Sequence, residues 1–252
     1  MRGGLAALLV LTAPAAAGAE APDFCSDRPG LTTGTCLAAP GTFQLETSFA
    51  EWSRSDGAEE LALGSSRLRY GVDGRTDLHL AITPHVRVHE EGATEHGIGD
   101  LSIAVKHVVT RADASVAIAI MPFVKLPTGS RALSNRRWEG GLLLPVEAPL
   151  SGAWSVTLTP EINWSADSDG DGHHARYALA ATLGVDLSRR WSASLDGLVA
   201  REKDGTTLHE GVASVSLAFL ASPTLRFDAQ ADAGLTRDTP DIKLTSGFAV
   251  RF

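Results

Sequence analysis

Hydrophobic and polar residues alternate with a period of two along most of the chain. In the segment 154–165, every even position is apolar and every odd position is polar. The same alternation recurs, with few exceptions, in the segments 177–187, 225–233 and 241–252. Because successive side chains of a strand point to opposite faces, this pattern predicts β-strands with one apolar face and one polar face.

The alternating segments predict about twelve strands, most of them ten to thirteen residues long. Strands in globular proteins have about five or six residues, whereas a tilted strand needs about 9–11 to cross a bilayer. Short connections alternate with mostly longer polar ones, which is typical of barrels with short periplasmic turns and long outer loops. The sequence therefore predicts an all-β fold, a transmembrane antiparallel up-and-down β-barrel over residues 41–252. The predicted strands are 42–52, 60–70, 76–88, 99–109, 115–125, 138–148, 154–165, 175–187, 191–202, 210–220, 225–234 and 241–252.

All five tryptophans fall at the ends of predicted strands. Trp154 and Trp191 would lie at the periplasmic rim, and Trp52, Trp138 and Trp164 at the outer rim. The indole ring combines an apolar body with a polar N–H, so it prefers the headgroup layer of a membrane. These positions predict an aromatic belt, whereas the core of a soluble protein would favour tryptophans at strand centres.

The polar face of the predicted strands carries too many charges for a protein core. A soluble β-sandwich would explain the alternation equally well, but it explains neither the strand lengths nor the positions of the tryptophans. With the apolar face turned to lipid, the sheet must close and its polar face must enclose a wet lumen. The residues predicted to line this lumen are His79, His85, Arg87, Lys106, Glu147, Glu161, Arg226, Asp228 and Arg251.

The N-terminal region has the features of an exported protein. Residues 1–19 predict a signal peptide, with a short apolar core and small residues before the expected cleavage site. Residues 20–40 lack strand periodicity and predict a periplasmic N-terminal segment. Cys25 and Cys36 lie within this segment, and in an oxidising compartment a lone close pair predicts a disulfide.

Charge and motif content predict neither nucleic-acid binding, nor a cofactor, nor a metal site. The net charge is −8 and basic residues are not clustered. Residues 167–172 match the start of a calcium-binding loop, but Ala178 occupies the twelfth position, where a bidentate glutamate is required. His173 and His174 are adjacent and are expected to point apart. No His-x-Ser pair offers a serine nucleophile with a base on the same strand face, so no enzyme is predicted.

Several short motifs resemble the outer-membrane transporter family named for the meta-cleavage pathway of phenol degradation. The resemblance covers most of the chain after the signal peptide, and it implies an outer-membrane barrel of a Gram-negative bacterium that takes up small compounds, including hydrophobic or aromatic ones. The terminal Phe252 resembles the signal read by the barrel-assembly machinery, which together with outer-membrane lipid is an expected partner. The motifs are 27–30, 40–46, 99–101 with Lys106, 126–129 and 140–141.

Passive transport of a small-molecule solute is the leading functional hypothesis. Eight strands leave an interior filled by side chains and 16–18 leave a wide channel, so twelve imply a bore that is narrow or plugged by residues 21–40. Two alternatives stay open at this point. One is a structural or adhesive barrel with a filled lumen, and the other is an outer-membrane lipid hydrolase.

Overall fold

The computed structural model of the protein describes residues 24–252, so the predicted signal peptide lies outside the described residues. The described residues contain sixteen strands and no helix, and hence no helix long and apolar enough to cross a membrane. The strands are β1 (Phe43–Ser55), β2 (Ala58–Leu63), β3 (Ser66–Gly71), β4 (Thr76–Ile82), β5 (His85–Glu90), β6 (Ala93–Gly97), β7 (Leu101–Val108), β8 (Ala117–Leu126), β9 (Glu139–Leu143), β10 (Val146–Pro149), β11 (Trp154–Ala166), β12 (His173–Asp186), β13 (Trp191–Asp204), β14 (Thr206–Ser222), β15 (Leu225–Gly234) and β16 (Ile242–Arg251).

The sixteen strands form a closed barrel with twelve wall segments. Four wall segments are each interrupted once, so they consist of β2 with β3, β4 with β5, β6 with β7, and β9 with β10. Neighbouring strands are antiparallel, and β1 pairs with β16 from Gln44–Arg251 to Arg54–Ile242, which closes the sheet. The predicted fold class and the count of about twelve strands are confirmed.

The barrel is apolar outside and polar inside, the reverse of a soluble protein. On β11, Leu158 is 40% exposed and Ile162 44%, whereas Thr157 and Thr159 between and beside them are buried. Exposed leucine, isoleucine and valine side chains recur around the whole wall. Such a surface is stable only against lipid, and closure of the sheet satisfies the backbone hydrogen bonds that hydrocarbon cannot.

The height of the apolar band follows from β11. Trp154 and Trp164 lie near opposite ends of this strand, ten residues apart, and both are exposed on the outer face. At about 3.3 Å per residue and a tilt of about 40°, they are separated by roughly 25 Å along the barrel axis, which is the height of a barrel's apolar band. Trp191 starts β13 and Trp138 directly precedes β9, and both are also exposed. Trp52 lies on β1, opposite Leu244 and Leu61.

Candidate functional site

Residues 24–40, here called the plug segment, run through the interior of the barrel. The segment contacts inward-facing side chains from around the wall. Its Ala38 N–H donates to Asp77 on β4, and its Gly30 N–H donates to Gln230 on β15. Because these strands lie far apart in the sheet, the segment crosses the lumen. Residues 24–40 of the region predicted to be periplasmic therefore lie inside the barrel.

A buried cluster of five charged side chains fixes one side of the plug segment. Lys106 Nζ lies 2.9 Å from Asp27 Oδ1, and Arg69 lies 2.9 Å from Glu46 and 2.7 Å from Asp77. All five side chains are at most 1% exposed. Removing one partner from such a buried pair leaves an uncompensated charge and costs about 3–5 kcal/mol.

The charge of Asp27 follows from this environment. Burial raises the pKa of its carboxyl, but Lys106 and Arg69 outweigh burial and hold the pKa well below its ordinary value. Asp27 is therefore ionised at neutral pH. It is the only carboxylate that the plug segment, within residues 24–40, contributes to this cluster.

The predicted Cys25–Cys36 disulfide is present in the structure and shapes the same side of the plug segment. It closes a loop that contains Asp27. The Gly34 and Cys36 carbonyl oxygens of this loop accept hydrogen bonds from Lys106 Nζ at 3.0 and 3.1 Å. The loop therefore presents one carboxylate and two carbonyl groups to a single buried ammonium group. In the chain-entropy model, closing a loop of this length contributes roughly 2–3 kcal/mol.

A second set of contacts fixes the plug segment to the wall on either side of the buried cluster. Arg28 forms a bidentate ion pair with Asp228 on β15, at 2.8 and 3.3 Å. The Thr35 N–H and hydroxyl both donate to Glu147 on β10, at 3.1 and 2.9 Å. Bidentate pairs fix orientation as well as distance. The Thr33 N–H donates to Thr159 on β11 and the Leu31 N–H to Asp196 on β13, so the plug segment is also held to the far side of the lumen.

Polar cavities remain in the lumen on both sides of the plug segment, and the two described here have lining residues from that segment. The cavity nearer the longer loops has a volume of about 330 Å³ and is lined by Arg67, Glu51 and Asp100, among others. The cavity nearer the short turns has a volume of about 210 Å³ and is lined by Asp186 and Arg226, among others. The plug segment contributes lining residues to both cavities. It is therefore what separates the two ends of the lumen.

Most of the residues predicted to line the lumen lie on the inner face. Lys106, Glu147 and Asp228 bind the plug segment, as described above. Glu161 lies 3.8 Å from Arg176, and Arg226 donates to Ser192. The other two are His79, whose Nε2 lies 3.7 Å from Asp77, and Arg251, which donates to the Pro223 carbonyl and lies over the Phe24 ring.

His85 and Arg87 do not line the lumen, so their prediction is wrong. Arg87 lies opposite Leu61, which in turn lies opposite Trp52. Directly paired residues point to the same face, and this row is the outer one because it continues to the exposed Leu244. The predicted strand 76–88 is interrupted at Thr83 and Pro84, and the alternation changes face there.

Of the residues that hold the plug segment, Lys106, Glu147 and Asp228 were selected from the sequence, but Arg69, Asp27 and Arg28 were missed. Arg69 and Asp27 are at the centre of the cluster, and Arg28 forms the second anchor. A signal for Arg69 exists in the sequence: Leu61 and Leu63 share parity with Arg67 and Arg69, and a bulge near residues 64–66 would place the leucines and the arginines on opposite faces. The structure has the interruption between β2 and β3 at that point, with Gly64 at a φ of +69°. In the plug segment, the signal available is that Asp27 and Arg28 are the charged residues of an otherwise uncharged, irregular stretch.

Comparison with known proteins gives one family and several similar folds. The family model described as "Putative MetA-pathway of phenol degradation" matches residues 26–252. An outer membrane channel from Pseudomonas putida F1 is 16% identical, with a TM-score of 0.66, and the alignment covers 86% of this chain and 97% of that one. The NanC porin is 8% identical with a TM-score of 0.55, covering 83% and 98%. The KdgM porin is 11% identical with a TM-score of 0.52, covering 84% and 99%. No curated protein matches significantly. At these identities the likeness to solved structures shows the fold alone.

Proposed function

The chain belongs to the family described as "Putative MetA-pathway of phenol degradation", and on that premise we propose that it is an outer-membrane channel for the passive uptake of small solutes. The family match agrees with the resemblance seen in the sequence motifs. The fold is that of Gram-negative outer-membrane barrels, with an apolar exterior and a polar interior. In this proposal the plug segment sets the bore, and solutes pass when it moves or is displaced.

The observation that carries the proposal is the pair of polar cavities on either side of the plug segment. Their linings contain charged groups and hydroxyl groups, such as Arg67 and Asp100 in one and Ser192 and Arg226 in the other. Such linings favour solutes that can form hydrogen bonds. A small hydroxylated aromatic compound fits this requirement, because its ring is compact and its hydroxyl group can exchange water for lumen groups.

The filled lumen also supports a second candidate, a structural barrel that passes nothing. In that case the plug segment would be a permanent part of the core, and its buried ion pairs would contribute only to stability. The two candidates differ in one measurable property, the permeability of the barrel. A channel opens at least some of the time in the native protein and opens more often when the plug segment is released, whereas a structural barrel passes no solute. The proposal assigns no catalytic role to any residue.

Single-channel conductance in planar bilayers, combined with liposome swelling, tests the proposal. The native protein would be compared with the double variant Asp27→Asn, Arg28→Gln, which weakens both anchors while leaving the barrel wall unchanged. Asp113→Asn is the matched control, because Asp113 is an exposed carboxylate that pairs with Arg111 in the short connection between β7 and β8. Heat-modifiable gel migration checks that each variant forms a barrel.

The proposal expects brief openings of the native barrel, a larger open fraction in the double variant, and native behaviour in Asp113→Asn. Swelling with small phenols should rise in parallel with the open fraction. If the native barrel and the double variant both carry no ion current and no solute, although both are folded, the structural candidate is correct and the transport proposal is not.

A further inference from the structure

A second group of ionisable side chains lies at the end of the lumen that carries the long loops. Asp167 belongs to the loop between β11 and β12, His174 to the start of β12, and Asp204 to the end of β13. One ligand atom from each of these residues lies within 4.8 Å of the others. The sequence separates the first and last of them by 37 positions, and the antiparallel pairing of β12 with β13, in which Arg176 lies opposite Glu202, brings them together.

The local backbone directs these groups toward one another. The loop folds back at Asp167, whose N–H donates to the Gly172 carbonyl at 3.2 Å. Gly172 has a φ of +138°, and a Cβ at this position would lie 2.5 Å from Asp167 Oδ2. Only glycine leaves room for this carboxylate to turn back onto its own loop. The Ser168 N–H donates to Asp204 Oδ2 at 2.8 Å and links the loop to the end of β13. The hydrogen bonds from Ser168 lower the pKa of Asp204, so Asp204 is ionised at neutral pH.

His174 is oriented by carboxylates at both ring nitrogens. Its Nδ1 lies 2.8 Å from Asp167 Oδ1, and its Nε2 lies 3.3 Å from Glu202 Oε2. A histidine that binds a metal through one nitrogen usually donates its other N–H to a carboxylate, which fixes the tautomer and the ring orientation. Binding through Nδ1 would leave Nε2–H to donate to Glu202. The Glu202 partner is already in place, and Nδ1 already faces the Asp167 carboxylate.

We propose that Asp167, His174 and Asp204 bind one divalent metal ion of the zinc class at the outer mouth of the lumen. In a tetrahedral zinc site with bonds of about 2.0–2.2 Å, the ligand atoms lie about 3.4 Å apart. His174 Nδ1 and Asp167 Oδ1, now 2.8 Å apart, would therefore move apart by about 0.6 Å to admit the ion. No pair of ligand atoms, all within 4.8 Å of one another, would need to close by more than about 1.4 Å, and a water molecule would complete the coordination. An imidazole with carboxylates suits zinc and similar ions, whereas calcium prefers oxygen ligands alone.

His173 provides the matched control for this site. It precedes His174 directly in the chain, but its ring faces the outer surface, where the centroid distances to the rings of Trp138 and Trp164 are 4.9 and 6.2 Å. The two histidines have the same chemistry and almost the same height in the barrel. They differ in the face of β12 from which they project, so only His174 can contribute to the proposed site.

Isothermal titration of the full mature barrel, free of affinity tags and in detergent, with ZnCl₂ tests the proposal. We expect one zinc ion to bind per barrel. His174→Gln and Asp204→Asn should each weaken binding at least tenfold, and Glu202→Gln should weaken it about 10–100-fold. His173→Gln should bind zinc as the native protein does. Two variants on different strands keep the test valid if one of them does not fold, as judged by heat-modifiable migration.

Three results would overturn the proposal. They are no saturable zinc binding by the native barrel, native affinity in His174→Gln, and loss of zinc binding in His173→Gln. A parallel titration with CaCl₂ detects an oxygen-only site on the loop, and tight calcium binding that does not depend on His174 would also overturn it. The titration involves no transport, so its outcome is independent of the proposed channel function.

Discussion

Replacing Lys106 with methionine should release the plug segment, because it removes the cation that holds Asp27. Lys106 Nζ donates to both Asp27 oxygens at 2.9 and 3.0 Å and to the Gly34 and Cys36 carbonyl groups at 3.0 and 3.1 Å. Its side chain is fully buried. Methionine has a similar length and no charge, so it fills the same space without donating a hydrogen bond.

The size of the effect follows from the contacts that remain. Asp27 keeps weaker ion pairs with Arg67 at 3.5 Å and with Arg69 at 3.9 Å. Loss of one partner of a buried ion pair costs about 3–5 kcal/mol. At about 1.4 kcal/mol for each factor of ten, the equilibrium between bound and released plug segment shifts by roughly two to three and a half orders of magnitude.

The assay is the open fraction in single-channel recordings, with limited proteolysis of the plug segment as a second readout. Both should increase in Lys106→Met and stay native in Asp113→Asn. The double variant Asp27→Asn, Lys106→Met should be affected less than the two single variants together, because the buried charges are removed as a pair. Native conductance and native protease resistance in a folded Lys106→Met barrel would refute the assigned role of this ion pair.

Three further predictions concern the wall, the disulfide and the response to pH. Leu158 lies on the outer face of β11, about midway between its two tryptophans, and Leu158→Arg should destabilise the barrel by about 2–4 kcal/mol in urea unfolding from lipid vesicles. The control Leu235→Arg, in an exposed loop, should have almost no effect on the free energy of unfolding. Equal effects of the two substitutions would contradict the assigned lipid face. Replacing Cys25 and Cys36 by serine should increase the current fluctuations in single-channel recordings and the cleavage of the plug segment in limited proteolysis. Unchanged recordings and unchanged cleavage would show that the disulfide does not help to hold the plug segment in place. Because the pKa of Asp27 is lowered in the folded barrel, its contribution is present above about pH 3.9 and is lost only as the pH falls through the lower folded value. Protease resistance of the plug segment should therefore be the same at pH 5 and pH 7, and release at pH 5 would count against an ionised, paired Asp27.

The fold could be predicted from local patterns because each wall segment carries its own signal. Alternation with a period of two assigns one face to lipid and the other to the lumen, and it does so over 154–165 without reference to any other part of the chain. The same reasoning failed at His85 and Arg87. An interruption of two residues reverses the face of the residues that follow it in the same wall segment. A period-two pattern does not show where this reversal occurs when polar residues lie on both faces.

The candidate site could be predicted only in part. Lys106, Glu147 and Asp228 were recognised as inward-facing charges, but their partners were not, because the plug segment has no periodicity from which a position can be derived. Arg28 and Asp228 are separated by 200 positions in the chain. Such a contact depends on where an irregular segment lies in three dimensions.

The sequence by itself determined the class of fold, the approximate number of wall segments, the disulfide pair and the apolar outer face, since all of these follow from the order of residues over short stretches. The tertiary structure decided that residues 24–40 fill the lumen, that Asp27 meets Lys106, and that Asp204 approaches His174. These contacts join groups from distant parts of the chain. Their positions depend on the strand register and on the closure of the barrel, and neither of these is a local property of the sequence.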